Sequence, residues 1–288
     1  MARVNLFLKK PWLVAVAVLL ASNIFIWYAV FYEDHGGLLT VAFLDIGQGD
    51  AIFIEAPNGN QLIMDGGPDR SLLRELSKVL PFYDHSIDML VVTNPDTDHF
   101  AGFIDVLKNY EVEKVIEPGT KATSETYRAF EKGVALEQAE KTIARRGMKI
   151  ILDKQVYLEV LFPDQDVSQF STNDGSIISR LVYGDVSYML TGDTTQKMER
   201  HVLALGDRAL ASTVLKVAHH GSRTSSGEDF VKAVDPKFVV ISAGRNNKYG
   251  HPHKETLDTF SKLQTPVLGT YERGMIITRT DGKGIEVE

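Results

Sequence analysis

The sequence predicts an α/β domain of two sheets packed face to face and covered outside by helices, preceded by one N-terminal transmembrane helix. Short apolar or alternating runs recur along residues 39–288, with segments of helical periodicity between many of them. The strand-rich stretches fall into two halves, each with its own helices, which is typical of two layered sheets. An uncharged run of 22 residues, from Pro11 to Tyr32, precedes this region.

Composition limits the class of protein. The 288 residues include 31 basic and 38 acidic side chains, 44% hydrophobic residues and no cysteine. This content excludes general disorder, and a chain of this length buries a sizeable core. Without cysteine, a disulfide framework, a thiolate metal site and a cysteine nucleophile are excluded. The net charge of −7 argues against a broad electrostatic surface for nucleic acid.

The run over residues 11–32 is long enough to cross a bilayer, since about 1.5 Å per residue gives a helix of about 33 Å. Its flanks are basic before and acidic after, and aromatic residues lie near its ends: Arg3, Lys9, Lys10, Glu33, Asp34, Trp12, Trp27, Tyr28 and Tyr32. The positive-inside rule therefore predicts a single-pass plasma-membrane protein, with residues 1–10 in the cytoplasm, a linker over 33–38 and residues 39–288 outside.

Two other interpretations of this run stay open. A cleaved signal peptide is one, although no small-x-small cleavage site follows the run. A buried helix of a soluble protein is the other, although no polar positions mark a solvent face. Without the three basic and two acidic residues of this segment, the remaining chain has a net charge of −8.

The first half of the domain is predicted to begin with strands over residues 40–44, 51–55 and 61–64, with Asn58-Gly59 as a hairpin turn between the last two. A helix over 71–80, a buried strand over 88–93, a helix over 100–110 and a strand over 114–116 follow. Helical periodicity predicts a long helix over 123–146, with Ser124 as N-cap and Gly147 at its end.

The second half continues with apolar runs that predict strands near residues 149–152, 157–162 and 176–183, and a turn at Tyr183-Gly184-Asp185 leads into a strand over 186–190. Helices over 194–205, 227–234 and 255–263 then alternate with strands over 213–217 and 238–242. Two late strands, over 275–278 and 284–287, complete the pattern, and there is no internal repeat.

Four loops that each follow a predicted strand carry side chains able to bind a metal ion: Asp96, Asp98 and His99 in TNPDTDH, Asp193 in TGDT, His219 and His220 in LKVAHHGS, and His251 in RNNKYGHPH. Taken singly they have plainer explanations, such as helix caps, Asx turns or an exposed loop histidine. Because strand ends gather at one edge of layered α/β folds, the four loops together predict one site. Asp45, Asp50 and Asp65 add carboxylates.

The ordered set DIGQGD, DGG, NPDTDHFAG, TGD, LKVAHHGS and SAGRNNKYGHP resembles the metallo-β-lactamase fold. It looks most like the extracellular domain of ComEC/Rec2-type competence proteins, which take up DNA. The resemblance covers residues 39–288 and implies an αββα sandwich with a metal site at one edge. It also implies a divalent metal as cofactor.

Roles are carried over from this resemblance residue by residue. Asp98 and His99 match the Asp-His pair of the metal site, and Asp193 matches the carboxylate that bridges two metals. His251 matches a late histidine ligand, and Asp96 stands where the family usually has a second histidine. His219 or His220 takes the place of a histidine at the metal or the bound phosphate. Of this pair, His219 is predicted to be a ligand, and His220 is predicted to be catalytic together with Asp98.

The chain departs from the family pattern at three places, of which Asn94 affects the metal and Ala101 is a smaller change. Asn94 stands in place of a histidine, Ala101 replaces the usual glycine, and the middle metal histidine has no clear match, although Asn173 and Ser176 fall near its place. A neutral amide is a poor ligand, so one firm and one conditional site are predicted, with Asn94, Asp45, Asp65 and Asn173 as weak ligands or outer contacts. The carboxylates favour Mn²⁺, whereas the histidines suit Zn²⁺.

The sequence therefore predicts a membrane-anchored, extracytoplasmic, metal-dependent hydrolase, a phosphodiesterase or nuclease related to DNA uptake. Ser222, Arg223 and Lys248 are predicted to contact the substrate, with single-stranded DNA or another phosphodiester as substrate and competence or envelope proteins as partners. Hydrolysis of another envelope ester or a lactam is one alternative. A partly degenerate, non-catalytic binding module is the other.

Overall fold

The computed structural model describes residues 11–32, 36–206 and 210–288, without the side chains of residues 28–32. The chain divides into two units, one ending at Gly37 and one from Leu38 to Glu288. In the first unit, helix α1 spans Pro11–Tyr32, and its described side chains, over residues 11–27, are exposed.

The predicted transmembrane helix is not confirmed. Within the part of the chain that the structure describes, no helix combines the length and apolarity that crossing a membrane requires. The charged residues that were predicted to flank the membrane span lie outside the described residues: Arg3, Lys9, Lys10, Glu33 and Asp34.

The second unit contains two sheets. The described strands of the first sheet follow the order β15-β14-β1-β2-β3-β4-β5-β6. Their bounds are β1 Leu39–Phe43, β2 Ala51–Glu55, β3 Gln61–Gly66, β4 Ser86–Val91, β5 Glu111–Glu117, β6 Glu140–Ile143, β14 Ile276–Thr280 and β15 Ile285–Val287. The described strands of the second sheet follow the order β13-β12-β11-β10-β9-β8-β7. Their bounds are β7 Lys149–Asp153, β8 Val156–Phe162, β9 Ile178–Tyr183, β10 Val186–Leu190, β11 Val214–Lys216, β12 Phe238–Ile241 and β13 Val267–Gly269.

Helices lie on the outer face of each sheet. Those after strands of the first sheet are α2 Ser71–Leu76, α3 Thr97–Phe100, α4 Phe103–Asn109 and α5 Glu125–Glu137. Those after strands of the second sheet are α6 Gln196–Ala204, α7 Glu228–Val234 and α8 Lys254–Lys262, and α9 Thr270–Arg273 leads back to β14 in the first sheet. The prediction of two packed sheets covered by helices is confirmed.

Alternation along the strands explains the layers. In β1, Val41 and Phe43 join the central core, which also contains Tyr188 and Leu190 of the second sheet. The intervening Ala42 belongs instead to the outer core beneath the helices of the first sheet. Successive side chains of a strand point to opposite faces, so a strand with apolar residues at every position is buried on both sides.

The long helix predicted over residues 123–146 is shorter in the structure. Its predicted start is confirmed, because the side chain of Ser124 accepts a hydrogen bond from the Tyr127 backbone N–H. The helix ends at Glu137, where Gln138 adopts a left-handed conformation with φ of 61°. The next residues form β6, which pairs in parallel with β5. Pairing with the edge of β5 therefore outweighs the helical periodicity of residues 140–143.

Strand direction collects the loops that carry the predicted site. β3 and β4 are parallel neighbours in the first sheet, and β10, β11 and β12 are parallel neighbours in the second. The carboxyl ends of parallel neighbours lie at one edge of a sheet. The loops after these five strands contain most of the predicted ligands.

Candidate metal centre

His99 is held by the first sheet. Asp65, at the end of β3, accepts hydrogen bonds from the backbone N–H and the hydroxyl of Thr93, at 2.7 and 2.6 Å. The same carboxylate lies 2.8 Å from Nδ1 of the fully buried His99. Since a carboxylate accepts and does not donate, Nδ1 carries the hydrogen. Nε2 of His99 faces the site and lies 3.1 Å from Oδ2 of Asp193.

His220 is held by the second sheet, in the turn after β11. His219 and His220 both have a left-handed backbone, with φ of 50° and 54°. For a residue other than glycine this conformation costs about 1–3 kcal/mol and clusters at functional sites. The His220 side chain is buried, whereas 25% of the His219 side chain is exposed. The strained turn therefore sends the two neighbouring rings in different directions.

The ring of His220 is fixed on one side and free on the other. Its Nδ1 lies 3.1 Å from the carbonyl oxygen of Ser242 and 3.3 Å from Oδ1 of Asp50. Its Nε2 lies 3.5 Å from Oδ2 of Asp98 and 3.6 Å from Oδ1 of Asp193. As in His99, the inner nitrogen has a protein acceptor and the outer nitrogen points at carboxylates.

Asp193 lies between the imidazoles. It follows β10 in the TGD motif, where Gly192 has φ of 50° and a Cβ would lie 2.7 Å from the hydroxyl of Thr93. The N-cap of α6 is Thr195, so Asp193 does not cap that helix. Besides His99 and His220, Asp193 approaches Nε2 of His219 at 3.7 Å. Its carboxylate is therefore directed into the site.

We call Asp98, His99, Asp193 and His220 the imidazole cluster. Two groups of candidate ligands overlap at His99: Asp98–His99–His220 and Asp50–His99–Asp193. Within each group, the ligand atoms lie within 4.8 Å of one another. Three buried atoms of the cluster, His99 Nε2, His220 Nε2 and Asp193 Oδ1, have no hydrogen-bond partner among the residues that the structure describes. Buried polar atoms nearly always have one. Imidazole nitrogens and carboxylate oxygens that face one another in this way fit a divalent ion such as Zn²⁺ or Mn²⁺.

The charges also favour a cation. Burial alone would raise the pKa of Asp193, but His99 and His220 hold it well below its ordinary value. Burial alone would lower the pKa of His220, but Asp193 and Asp50 raise it to about 10. The pKa of His99 is raised in the same way, against burial, by Asp193 and Asp65. The carboxylates thus retain protons on the rings, and a divalent ion would displace those protons.

A second group, which we call the amide cluster, consists of Asn94, Asp96, Thr172 and Asn173. The buried Asn94 donates from Nδ2 to Oδ1 of Asn173 at 2.9 Å and accepts the backbone N–H of Asp96 at 3.1 Å. The Thr172 hydroxyl donates to Oδ2 of Asp96 at 2.8 Å. These side chains bond to one another, and Asp96, the carboxylate among them, belongs to neither ligand group among the described residues.

His251 lies on the rim of the imidazole cluster. Its ring centroid is 5.6 Å from that of His219 and 6.2 Å from that of His220. Burial first, and then the positive charges of His220 and His219, lower its pKa to about 4. Gln48 approaches it, with Nε2 at 3.4 Å from Nδ1. His251 is therefore near the cluster but outside both ligand groups.

The predicted substrate-binding residues lie in the loops after β11 and β12, which we call the rim loops. Ser222 is buried, with its hydroxyl 2.9 Å from that of Thr224, so it shapes the loop. Arg223 and Lys248 are exposed. The backbone N–H of Arg223 donates to Nδ1 of His253 at 3.1 Å, which joins the two rim loops. Asp45 is half-buried and belongs to neither ligand group among the described residues.

Three neighbours of the site were not assigned roles from the sequence: Lys216, Gln48 and Tyr249. Lys216 is a charged residue inside the apolar run of β11, and this signal could have singled it out. Tyr249 is exposed and stacks on His251, with ring centroids 5.8 Å apart. Gln48 carries no signal of its own, because polar residues are common in glycine-rich turns.

A sequence model of the metallo-beta-lactamase superfamily matches residues 44–245. Among curated proteins, the chain is 34% identical to ComE operon protein 3 of Bacillus subtilis, over 82% of this chain and 32% of that protein. It is 29% identical to Recombination protein 2 of Haemophilus influenzae, over 81% and 28%. It is 28% identical to Competence protein ComA of Neisseria gonorrhoeae, over 84% and 32%. The chain thus spans about a third of the length of these relatives.

Solved structures share the fold at low identity. Igni18, a metallo hydrolase from Ignicoccus hospitalis, aligns with a TM-score of 0.54 and 15% identity over 83% of this chain and 98% of its own. YhfI of Bacillus subtilis, a metallo-beta-lactamase fold protein, aligns with a TM-score of 0.50 and 11% identity over 81% and 96%. At these identities the structural likeness concerns the fold alone.

Proposed function

The chain belongs to the metallo-β-lactamase superfamily, and from this premise we propose that it is a metal-dependent phosphodiesterase. The observation that carries the proposal is the imidazole cluster, in which three buried ligand atoms have no hydrogen-bond partner among the described residues. The superfamily consists generally of metal-dependent hydrolases, and the cluster retains both imidazole and carboxylate ligands.

Asp98, His99, Asp193 and His220 would hold the ion. A divalent ion bound there supplies a Lewis acid and lowers the pKa of coordinated water towards about 7. Asp98 is the most exposed member, with 35% of its side chain accessible, so it is the carboxylate best placed to orient an attacking water. His219 reaches Asp193 from the exposed side, so it would contact the substrate anion. This assignment exchanges the roles predicted for His219 and His220.

The rim supplies groups suited to a phosphodiester. Residues 245–254 contain three basic residues and no acidic one, although the whole chain has a net charge of −7. Arg223 approaches from the neighbouring loop through His253. Exposed aromatic rings beside cationic side chains stack on bases of single-stranded nucleic acid, and Tyr249 with Lys248 offers such a pair. We therefore propose a single-stranded phosphodiester, DNA included, as substrate.

The biological setting is proposed from the relatives. Two of them are named as competence or recombination proteins, and this chain matches about a third of their length. A role in DNA uptake, with competence or envelope proteins as partners, follows as a proposal. Membrane attachment through residues 11–32 and an extracytoplasmic catalytic domain stay predictions from the sequence, which alkaline extraction of membranes and protease accessibility in intact cells would test.

The activity is tested on the full chain. The protein is stripped with a chelator, reloaded with Mn²⁺ or Zn²⁺, and assayed on bis-p-nitrophenyl phosphate and on single-stranded and duplex DNA. We expect turnover that requires the ion and favours the single strand. Asp193→Asn removes the central carboxylate charge and should abolish turnover. Asp185→Asn, a matched change in the turn between β9 and β10, should leave it unchanged.

Two outcomes would redirect the proposal. Turnover of a lactam or of a carboxylic ester, with none of a phosphodiester, would assign the site to another envelope substrate. A folded protein that binds the ion and hydrolyses no member of the panel would instead be a binding module. The mutual hydrogen bonds of the amide cluster are the observation that favours this second outcome, because an ion there would compete with them.

A further inference from the structure

Lys216 is a buried cation beside the imidazole cluster. The side chains of Lys216 and Asp50 are 1% and 2% exposed. The ammonium lies 2.7 Å from Oδ1 and 2.9 Å from Oδ2 of Asp50, and it also donates to the carbonyl oxygen of Val217 at 3.0 Å. One residue comes from β11 of the second sheet and the other from the loop before β2 of the first. The ion pair therefore joins the two sheets directly under the site.

A buried ion pair is weak evidence for stability. The desolvation of both charges often exceeds their attraction, so an apolar pair of similar volume is frequently as stable. Lysine is also among the residues that are least often fully buried. Lys216 thus occupies a position where packing alone would favour a residue such as leucine or methionine. This position is next to the candidate ligands, so its charge acts on them.

The ion pair with Lys216 determines whether Asp50 can bind a metal ion. Asp50 belongs to one of the two ligand groups, together with His99 and Asp193. Its Oδ2, however, accepts a hydrogen bond from the ammonium of Lys216 at 2.9 Å, and its Oδ1 lies 2.7 Å from the same ammonium and 3.3 Å from Nδ1 of His220.

We propose that Lys216 withholds Asp50 from the metal, so that the site takes one resident divalent ion, bound by the imidazole cluster. This inference rests on the proposed function only in that the cluster binds an ion. With Lys216 paired to Asp50, Asp98 and Asp193 are the carboxylates of the two ligand groups for which the described residues show no lysine contact. These two carboxylates balance the charge of one divalent ion, and the ligand groups found among the described residues hold no further unpaired carboxylate for a second ion.

The decisive variant replaces both partners. Lys216→Met with Asp50→Asn removes two opposite charges, keeps similar volumes and leaves an amide oxygen that accepts from His220. The full chain is stripped, reloaded with Mn²⁺ or Zn²⁺ and desalted. Ions per chain are then counted by mass spectrometry, and Kd is measured by competition with a chromophoric chelator. We expect one ion per chain, with a Kd within about threefold of the wild-type value, because Asp50 is not a ligand.

The single variant Lys216→Met gives the complementary result. It frees a buried carboxylate beside the site, so we expect a second ion per chain or a Kd at least tenfold tighter. Circular dichroism and thermal melting check that the chain is folded. If Lys216→Met does not fold, the double variant alone decides.

Three results would overturn the inference: two ions per wild-type chain, a tenfold or larger loss of affinity in the double variant, or a folded Lys216→Met with unchanged stoichiometry and Kd. The proposed function fails separately. A wild-type chain that holds one ion and hydrolyses no phosphodiester contradicts the function, while the variants still test the role of Lys216.

Discussion

The imidazole cluster and the amide cluster begin in one loop and differ in how their polar atoms are satisfied. Asp98 and His99 follow Asn94 and Asp96 within a few residues of β4. In the imidazole cluster, the nitrogens that face inward have acceptors and those that face the site have none. In the amide cluster, the side chains donate to and accept from one another.

This difference in hydrogen bonding indicates where a metal ion would bind. An unpartnered buried atom costs about 1–3 kcal/mol, which a bound ion would recover. The amide cluster offers less gain, because its side chains already hydrogen-bond to one another. The family pattern would place metal ligands in both clusters, and in this chain the geometry favours only one of them.

The largest effect is expected from His99→Ala. This change removes a ligand that belongs to both candidate groups. Loss of a residue that only supports a ligand lowers metal affinity by about 10–100-fold, so loss of the ligand itself should lower it by more than about 100-fold. Metal content and turnover are the measurements. His201→Ala is the matched control. His201 lies on α6 and its ring pairs with Asp164 at 3.0 Å, outside the imidazole cluster. Equal metal content in wild type and His99→Ala would contradict the assignment.

Metal binding should stabilise the chain. An ion present at about 100 times its Kd stabilises the folded state by about 2.7 kcal/mol, if it does not bind the unfolded chain. For a domain of this size, this corresponds to a rise in Tm of about 5–10 °C. Thermal melting with chelator and with Mn²⁺ or Zn²⁺ measures the shift. His99→Ala should show no rise, and a rise of the same size in that variant would place the ion elsewhere.

Asp65→Asn tests the support behind His99. The carboxylate holds Nδ1 of His99 and accepts twice from Thr93, so its loss should misorient the ring. We expect a loss of about 10–100-fold in metal affinity, with one ion still bound at saturation. Asp164→Asn breaks the comparable pair with His201 and serves as the control. An unchanged Kd in Asp65→Asn would mean that His99 needs no such support.

The smallest effect is expected from Asn94→His, which adds an imidazole to the amide cluster. A second ion should then bind at high metal concentration, with an affinity gain of about tenfold over wild type. The gain is limited because breaking the bond to Asn173 costs about 1 kcal/mol. Asn94→Ala breaks the same bond without adding a ligand and should show no second ion. Loss of the first ion in Asn94→His would show that the two clusters are not independent.

Much of the fold was predictable because it depends on local alternation. Runs such as residues 51–55 and 186–190 contain apolar residues at consecutive positions, as strands buried on both faces require. The start of α5 at Ser124 was also predictable, because an N-cap is a local hydrogen bond. The end of that helix was not, since Gln138 and β6 respond to pairing with β5, which periodicity does not contain.

The candidate site was predictable as a set of residues but not as an arrangement. Asp98, His99 and Asp193 stood out because each follows an apolar run. The division of labour between His219 and His220 depends on two left-handed residues in succession, and the sequence of that turn does not require them. In the amide cluster, one hydrogen bond joins Asn94 and Asn173, which are 79 positions apart in the sequence.

By itself, the sequence determined which kinds of ligand this protein can offer. With no cysteine, the site is limited to oxygen and nitrogen, and the order of the motifs places those ligands after strands. Only the tertiary structure decided which of them share a position and which are already paired. Lys216 and Asp50 are 166 residues apart and meet because two sheets pack face to face. Such long-range pairing determines the charge of a site and which of its atoms remain available to a ligand. A local sequence pattern does not contain this information.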